Sequence, residues 1–140
     1  MGINRVASLS WSPDGKKLLV YEELGDRYRM LLVKVAQKKL LKTYKGSIAA
    51  ADWSPRGSRI VYQMQSVGGD RRIMTMRVDG SHKKTLRHCG DGGVSWSPTG
   101  RSIVFVTWSE LGDIYSIWTM RADGRHQVKV ADNRWRPTWK

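Results

Sequence analysis

The chain has 140 residues, of which 40% are apolar and 26% are charged, and this composition suits one globular domain with a core. The 25 Lys and Arg residues exceed the 12 Asp and Glu residues, which leaves a net charge of +13 and favours acidic surfaces, nucleic acid or anionic lipid as partners. No apolar run approaches the roughly 20 residues of a membrane helix, so we expect no membrane insertion. Residues 1–10 contain no apolar signal-peptide region; if Met1 is the native start, the sequence predicts a cytoplasmic protein.

A pentapeptide, Trp-Ser-Pro-x-Gly, occurs three times at nearly constant spacing. The copies begin at Trp11, Trp53 and Trp96, and Trp139 stands where a fourth copy should start. Intervals of 42, 43 and 43 residues, filled by short apolar runs and Gly turns, are typical of β-propeller blades. We therefore predict an all-β protein in which residues 1–140 form a single propeller-type domain. Its repeats are approximately residues 6–47, 48–90 and 91–133, followed by a partial unit at 134–140.

Each unit is predicted to hold four strands. The first strand is rich in small residues, which suits an inner position near a propeller axis. A Ser-Pro-x-Gly type I turn follows, in which Pro fixes φ and Gly adopts the left-handed conformation. The β-branched and aromatic second strand suits packing between sheets. In chain order, the predicted strands are residues 7–10, 18–21, 30–35 and 40–44; residues 49–52, 60–62, 73–78 and 84–87; and residues 92–95, 103–106, 114–122 and 127–130.

Two further signals concern turns and packing. Asp79-Gly80 and Asp123-Gly124 predict hairpin turns with positive φ between the third and fourth strands, whereas the first unit has Lys38 in place of the Gly. We expect the Trp that ends each inner strand to pack between blades, as part of the core rather than as a ligand platform.

The repeats resemble those of the TolB family of β-propellers and its WD-repeat-like relatives, which also occur in propeller domains of some prolyl peptidases. The resemblance covers almost the whole chain and implies four-stranded blades of a ring that usually has six. It also implies that the channel mouth or the basic face holds a peptide or protein segment, but propellers host many unrelated activities. The residues that carry the resemblance are Trp11, Pro13, Gly15, Trp53, Pro55, Gly57, Trp96, Pro98, Gly100 and Trp139.

Three blades alone do not close such a ring. An open wedge exposes an apolar sheet face at each end, and a homodimer of three plus three blades is the simplest way to cover both. We expect the extra strand at residues 134–139 to pair or exchange at the seam with the partner's first strand. The competing interpretation is that the chain is a fragment of a longer propeller.

Positive charge recurs at particular repeat positions. The Ser-Pro-x-Gly and Asp-Gly turns should share one face, and the loops between second and third strands should lie on the other, so the charge is expected to be polarised. The acids predicted for these loops are Glu22, Glu23, Asp26, Asp70, Glu110 and Asp113. This pattern suits a solubilising surface, a binding surface for an acidic protein or peptide, or, less directly, one for nucleic acid, since no base-reading motif is present. The basic residues singled out are Lys16, Lys17, Arg56, Arg59 and Arg101 in the turns, and Lys34, Arg77 and Arg121 at one equivalent position of the third strand.

Catalytic and metal-binding patterns are not found. His82, His88 and His126 lack metal-ligand spacing, and His88 and Cys89 are neighbours whose side chains would point to opposite faces of a strand. The sequence therefore predicts no cofactor, no metal and no enzymatic activity. It favours a non-enzymatic propeller module for macromolecular, chiefly protein–protein, interaction that self-associates to close its ring. The alternatives are a basic propeller that binds nucleic acid, and part of the propeller domain of a larger protein such as a prolyl-peptidase-like hydrolase.

Overall fold

A computed structural model describes residues 5–66, 68–88, 92–109 and 114–132. In these ranges all regular secondary structure is β-strand, and twelve strands form three four-stranded antiparallel sheets, here called blades 1, 2 and 3. Blade 1 contains β1 (Arg5–Trp11), β2 (Lys17–Leu24), β3 (Arg27–Lys34) and β4 (Lys39–Tyr44). Blade 2 contains β5 (Ser47–Trp53), β6 (Arg59–Gln65), β7 (Arg71–Arg77) and β8 (Lys84–His88). Blade 3 contains β9 (Val94–Trp96), β10 (Ser102–Ser109), β11 (Ile114–Arg121) and β12 (Val128–Asp132).

This architecture confirms the predicted all-β fold with three four-stranded blades. Within each blade the strands pair in chain order, from the inner strand to the outer one. The predicted extra strand at residues 134–139, including Trp139, lies outside the described residues.

The three Ser-Pro-x-Gly segments form the same closed turn. In the first, the Gly15 N–H donates to the Ser12 carbonyl oxygen at 2.8 Å, and the φ of Gly15 is +68°. The turns ending at Gly57 and Gly100 repeat this bond at 2.8 Å with φ of +74° and +69°. The predicted left-handed glycine at the end of each turn is thus confirmed.

Successive turns also stack on one another. A β-carbon at Gly57 would lie 3.7 Å from Cδ of Pro13, and one at Gly100 would lie 3.4 Å from Cδ of Pro55. The proline of each turn therefore packs against the glycine of the next, which sets the spacing between neighbouring blades at this end.

Apolar side chains fill the two interfaces between blades. Leu19, Leu32 and Tyr44 of blade 1 pack with Trp53 and Ile60 of blade 2 in one buried cluster. A second cluster joins blades 2 and 3, and its buried members are Val61, Ile73, Val94, Trp96, Ile103, Phe105 and Met120. Burial of apolar area of this kind is the main stabilising term in folding.

The end blades each present an uncovered face. Trp11 is 55% exposed, whereas Trp53 and Trp96 are 5% and 9% exposed. The expectation that all three pack between blades is therefore wrong for Trp11 in the single chain, because none of the described residues forms a blade against this face. At the other end, Val104 is 38% exposed, whereas Val61, its equivalent in blade 2, is fully buried.

Candidate binding surface

The two kinds of turn lie at the same end of the blades, as predicted. The N–H groups of Val35, Val78 and Ala122, just after the third strands, donate to carbonyl oxygens of Lys16, Ser58 and Arg101, just after the Ser-Pro-x-Gly turns, at 3.1, 3.3 and 2.9 Å. We call this end the turn face, and the opposite end, where second and third strands join, the loop face. The turn face consists of residues 12–17, 34–39, 54–59, 77–84, 97–101 and 121–127.

Acidic side chains on the turn face are engaged in the turns themselves. The carboxylate of Asp14 accepts from Ser12 Oγ at 2.6 Å and from the Lys16 N–H at 3.1 Å. The equivalent bonds for the other two acids are Ser81 N–H to Asp79 at 2.8 Å and Arg125 N–H to Asp123 at 2.9 Å. Hydrogen bonds to the ionised form lower the pKa of all three carboxyl groups.

Basic side chains on this face repeat from blade to blade. Lys17 pairs across the sheet with Lys34, and Arg59 pairs with Arg77. Like charges placed directly opposite destabilise a sheet, so these rows carry a cost in stability. In the described ranges, none of the eight predicted basic residues forms an ion pair; they are Lys16, Lys17, Lys34, Arg56, Arg59, Arg77, Arg101 and Arg121.

On the loop face, two of the predicted acids are paired with arginine. Glu22 accepts from Arg29 at 2.5 Å, and Asp70 accepts from Arg72 at 2.7 Å. The Arg72 guanidinium holds the pKa of Asp70 below its ordinary value. Glu110 and Asp113, also predicted for this face, lie outside the described residues.

A groove of about 550 Å³ opens on the turn face between blades 2 and 3. Its basic lining is Arg56, Arg59, Lys84 and Arg101, and its acidic lining is Asp123. Lys84 Nζ donates to the main-chain oxygen of Asp123 at 3.0 Å, which holds a residue of blade 2 against blade 3. The predicted basic residues Arg56, Arg59 and Arg101 thus share one concave site, which the linear sequence does not indicate.

Sequence reasoning missed the part played by Asp52. Its carboxylate accepts from Ser10 Oγ of blade 1 at 3.0 Å, and from Ser95 Oγ and the Trp96 N–H of blade 3 at 2.7 and 2.8 Å. One side chain therefore joins all three inner strands. The available signal was a single carboxylate that follows three alanines in the predicted inner strand at residues 49–52.

The histidines behave as repeated turn residues. His82 and His126 have φ of +51° and +52° and are exposed. Nδ1 of His88 lies 3.7 Å from Oδ1 of Asp70. Among the residues described, no group of three His, Cys, Asp or Glu side chains could hold a metal ion. Cys89 lies outside the described residues. None of the described residues forms a helix that is long and apolar enough to cross a membrane.

Comparison with known sequences finds a relative that is longer than this chain. No model of a known protein family matches the chain. An uncharacterized protein of Agrobacterium fabrum is 32% identical over 103 residues, which are 70% of this chain and 34% of that protein. The chain thus spans about a third of the length of this relative.

Comparison with solved structures identifies the fold. TolB from Acinetobacter baumannii matches with a TM-score of 0.73 at 22% identity, over 86% of this chain and 30% of that one. A putative TolB from Agrobacterium tumefaciens matches with a TM-score of 0.73 at 22% identity, over 91% and 50%. The β-propeller domain of the Trilobed protease from Pyrococcus furiosus gives 0.69 at 9% identity, over 92% and 44%. The three sheets are therefore blades of a β-propeller, and structures of TolB type are among those that share the fold.

Proposed function

We propose that this chain is a non-enzymatic β-propeller module that binds an acidic segment of another protein on its turn face. The proposal is based on a difference between the acidic and the basic side chains of this face. Asp14, Asp79 and Asp123 are held by turn hydrogen bonds, while the basic residues around them have no ion-pair partner in the described ranges. Unpaired cations on one face raise the local concentration of an anionic partner and the rate at which it associates.

The loop face supports this assignment by contrast. Two of its acids, Glu22 and Asp70, are paired with Arg29 and Arg72, and Glu23 and Asp26 add negative charge at that end. An acidic chain approaching the molecule is therefore directed to the turn face.

Binding of an acidic peptide tests the proposal directly. A fluorescent peptide of alternating Glu and Gly is titrated with the chain, and its anisotropy is followed. Arg121→Glu is expected to weaken binding by about tenfold, the effect of about 1.4 kcal/mol. Arg27→Glu, the same charge change on the exposed start of β3 at the loop face, should change affinity by less than about threefold, because a distant charge is screened by salt.

A single-stranded RNA of equal charge is the second probe. Tighter binding of RNA than of peptide, with a steep loss of affinity as salt rises, would favour the nucleic-acid alternative and overturn the acidic-protein proposal. Equal effects of Arg121→Glu and Arg27→Glu would also count against it, since the face would then not matter.

We further propose that a second copy closes the ring. The bare face of blade 1 carries Trp11, and the bare face of blade 3 carries Val104; their equivalents Trp53 and Val61 are buried at the two interfaces between blades. A head-to-tail contact of two copies would repeat an interface that the chain already forms twice. Two such contacts related by a twofold axis would complete six blades.

Oligomeric state tests this closure. Native mass spectrometry should show a species of twice the 16.0 kDa chain mass, and Val104→Asp, which places a charge on the bare face, should return it to the monomer. Val130→Asp, also on an exposed strand of blade 3 but in β12 at its outer edge, is the control. A wild-type chain that stays monomeric at concentrations well above micromolar contradicts closure by a second copy.

If the chain is instead a fragment of a longer propeller, the remaining blades belong to the same polypeptide and not to a second copy. The chain spans about a third to a half of the TolB-type and protease propellers that it resembles, which supports this alternative. A reading frame that continues past Lys140 into further Trp-Ser-Pro-x-Gly units would establish it. Continuation into a Ser-His-Asp domain would favour the hydrolase version.

A further inference from the structure

Two residues that line the groove between blades 2 and 3 each carry a buried polar group without a hydrogen-bond partner among the described residues. These groups are the indole N–H of Trp96 and the hydroxyl of Thr75, whose side chains are 9% and 1% exposed. Leaving a buried donor unpaired is costly, so an oxygen acceptor that enters the groove and reaches these groups gains a hydrogen bond that the empty protein lacks.

The groove is also strongly basic. Four cationic side chains and one carboxylate line it, which gives a formal charge of +3. The carboxylate, on Asp123, already accepts from the Arg125 N–H. An anionic acceptor is therefore favoured over a neutral one.

The interface between blades 1 and 2 provides an internal comparison. Its equivalent indole N–H, on Trp53, is likewise buried without a partner. However, the repeat places Asp14 where the other groove has Arg56, and Leu32 where it has Thr75. The other charged residues at equivalent positions are Lys16, Lys17, Lys42, Arg56 and Asp79, so the formal charge there is +2. The two interfaces share an unpaired indole. They differ in the hydroxyl of Thr75, which Leu32 replaces, and in the guanidinium of Arg56, which the carboxylate of Asp14 replaces.

We propose that the groove between blades 2 and 3 is a carboxylate-binding site, which receives one Glu or Asp side chain of the acidic segment. The Trp96 indole N–H and the Thr75 hydroxyl donate to the carboxylate, and Arg56, Arg59, Lys84 and Arg101 compensate its charge. Hydrogen bonds to an ionised acceptor are about twice as strong as neutral ones. This inference rests on the proposed function of the turn face and adds a specific site to it.

Indole N–H signals in ¹H–¹⁵N correlation spectra test the site within one molecule. The full chain is titrated with acetyl-Glu-Glu-Glu-Glu-amide, and with its Gln counterpart as the uncharged control. The Trp96 indole signal should move downfield and saturate with the Glu peptide only, while the Trp53 indole signal stays in place. Movement of both indoles together, or of neither when the Glu peptide binds, overturns the carboxylate site and leaves the proposed function standing.

Two variants separate binding from folding. Thr75→Val removes the hydroxyl at nearly constant volume. It should weaken binding of the Glu peptide by about tenfold, as expected for a lost hydrogen bond to a charged group. Because this hydroxyl is unpaired, the same variant should be at least as stable to urea as the wild type. Thr119→Val makes the same chemical change at the equivalent position of blade 3 and should leave affinity unchanged. Arg56→Asp, which reproduces the residue of blade 1, should abolish the Trp96 shift.

Small anions distinguish failure of the site from failure of the proposed function. If the Glu peptide does not bind at all, the proposed function is wrong, and sodium acetate then tests the groove alone. A saturable Trp96 shift with acetate supports the carboxylate site. A shift with inorganic phosphate but not with acetate, or with neither anion, overturns it.

Discussion

The closed interfaces and the bare end faces are made from the same repeat positions but have opposite environments. Trp53 is buried against blade 1, whereas Trp11, at the same point of the same pentapeptide, is 55% exposed. At the other end, Val61 is buried and Val104 is not. The sequence of one blade therefore specifies a surface that fits another blade, and the neighbour decides whether that surface becomes core.

The largest expected difference between the two environments is at the tryptophans. Trp53→Ala should lower the free energy of unfolding by about 3–5 kcal/mol, because it removes buried apolar area and leaves a cavity. Trp11→Ala should cost less than about 1 kcal/mol in the monomer. Urea denaturation of dilute samples measures both, and equal losses would contradict the comparison. A loss for Trp11→Ala that grows with protein concentration would instead support closure by a second copy.

Asp52 tests the polar part of the closed interfaces. Asp52→Asn keeps the shape of the side chain but replaces a charged acceptor of three hydrogen bonds, so we expect a loss of about 2 kcal/mol in urea denaturation. Ser10→Ala removes only the bond to blade 1 and should cost about half as much. If Asp52→Asn leaves the free energy of unfolding unchanged, the three inner strands are held by apolar packing alone.

The turn between β3 and β4 tests a source of instability in blade 1 that does not depend on its exposed face. Lys38 has φ of +48° where blade 2 has Gly80 at +84°, and a non-glycine residue in this region is strained. Lys38→Gly should therefore raise the free energy of unfolding by about 1 kcal/mol. Lys39→Gly, one residue later in β4, is the control and should destabilise. A destabilising Lys38→Gly would show that the lysine is not strained.

Acid sensitivity is the smallest expected effect. The pKa values of Asp14, Asp79 and Asp123 are lowered by turn hydrogen bonds from an ordinary value of 3.8. Their contribution to stability is thus fully present above pH 3.8 and is lost as pH falls through the lowered values. Urea midpoints should decline only in that acidic range, and Asp79→Asn should flatten the decline. A decline centred near neutral pH would contradict this origin.

Local signals were sufficient to predict the blades. The fixed spacing of Trp11, Trp53 and Trp96 predicted three four-stranded units, and the glycine of each pentapeptide predicted the turn that the structure shows. Most strand lengths were underestimated because the prediction followed the apolar runs, whereas β9 and β11 were each predicted one residue too long. The second strand of blade 1 was predicted to end at Tyr21, but pairing continues to Leu24 through polar residues.

The candidate binding surface was predictable only in part. The repeat indicated that basic turns share a face, because strand order fixes which turns lie together. It did not indicate the groove, because Thr75 and Trp96 belong to different blades and meet only through inter-blade packing. The bond from Asp52 to Ser95, 43 residues away, is of the same kind.

The carboxylate of Asp52 also makes the three units of this chain unequal. The middle blade supplies the acceptor, and the outer blades supply the serine hydroxyls Ser10 and Ser95. In a ring of two copies, each junction between chains would bring serine to serine, with no anion to bridge them. Such a ring would be more stable within each chain than at the two junctions between chains, and it would dissociate at those junctions first.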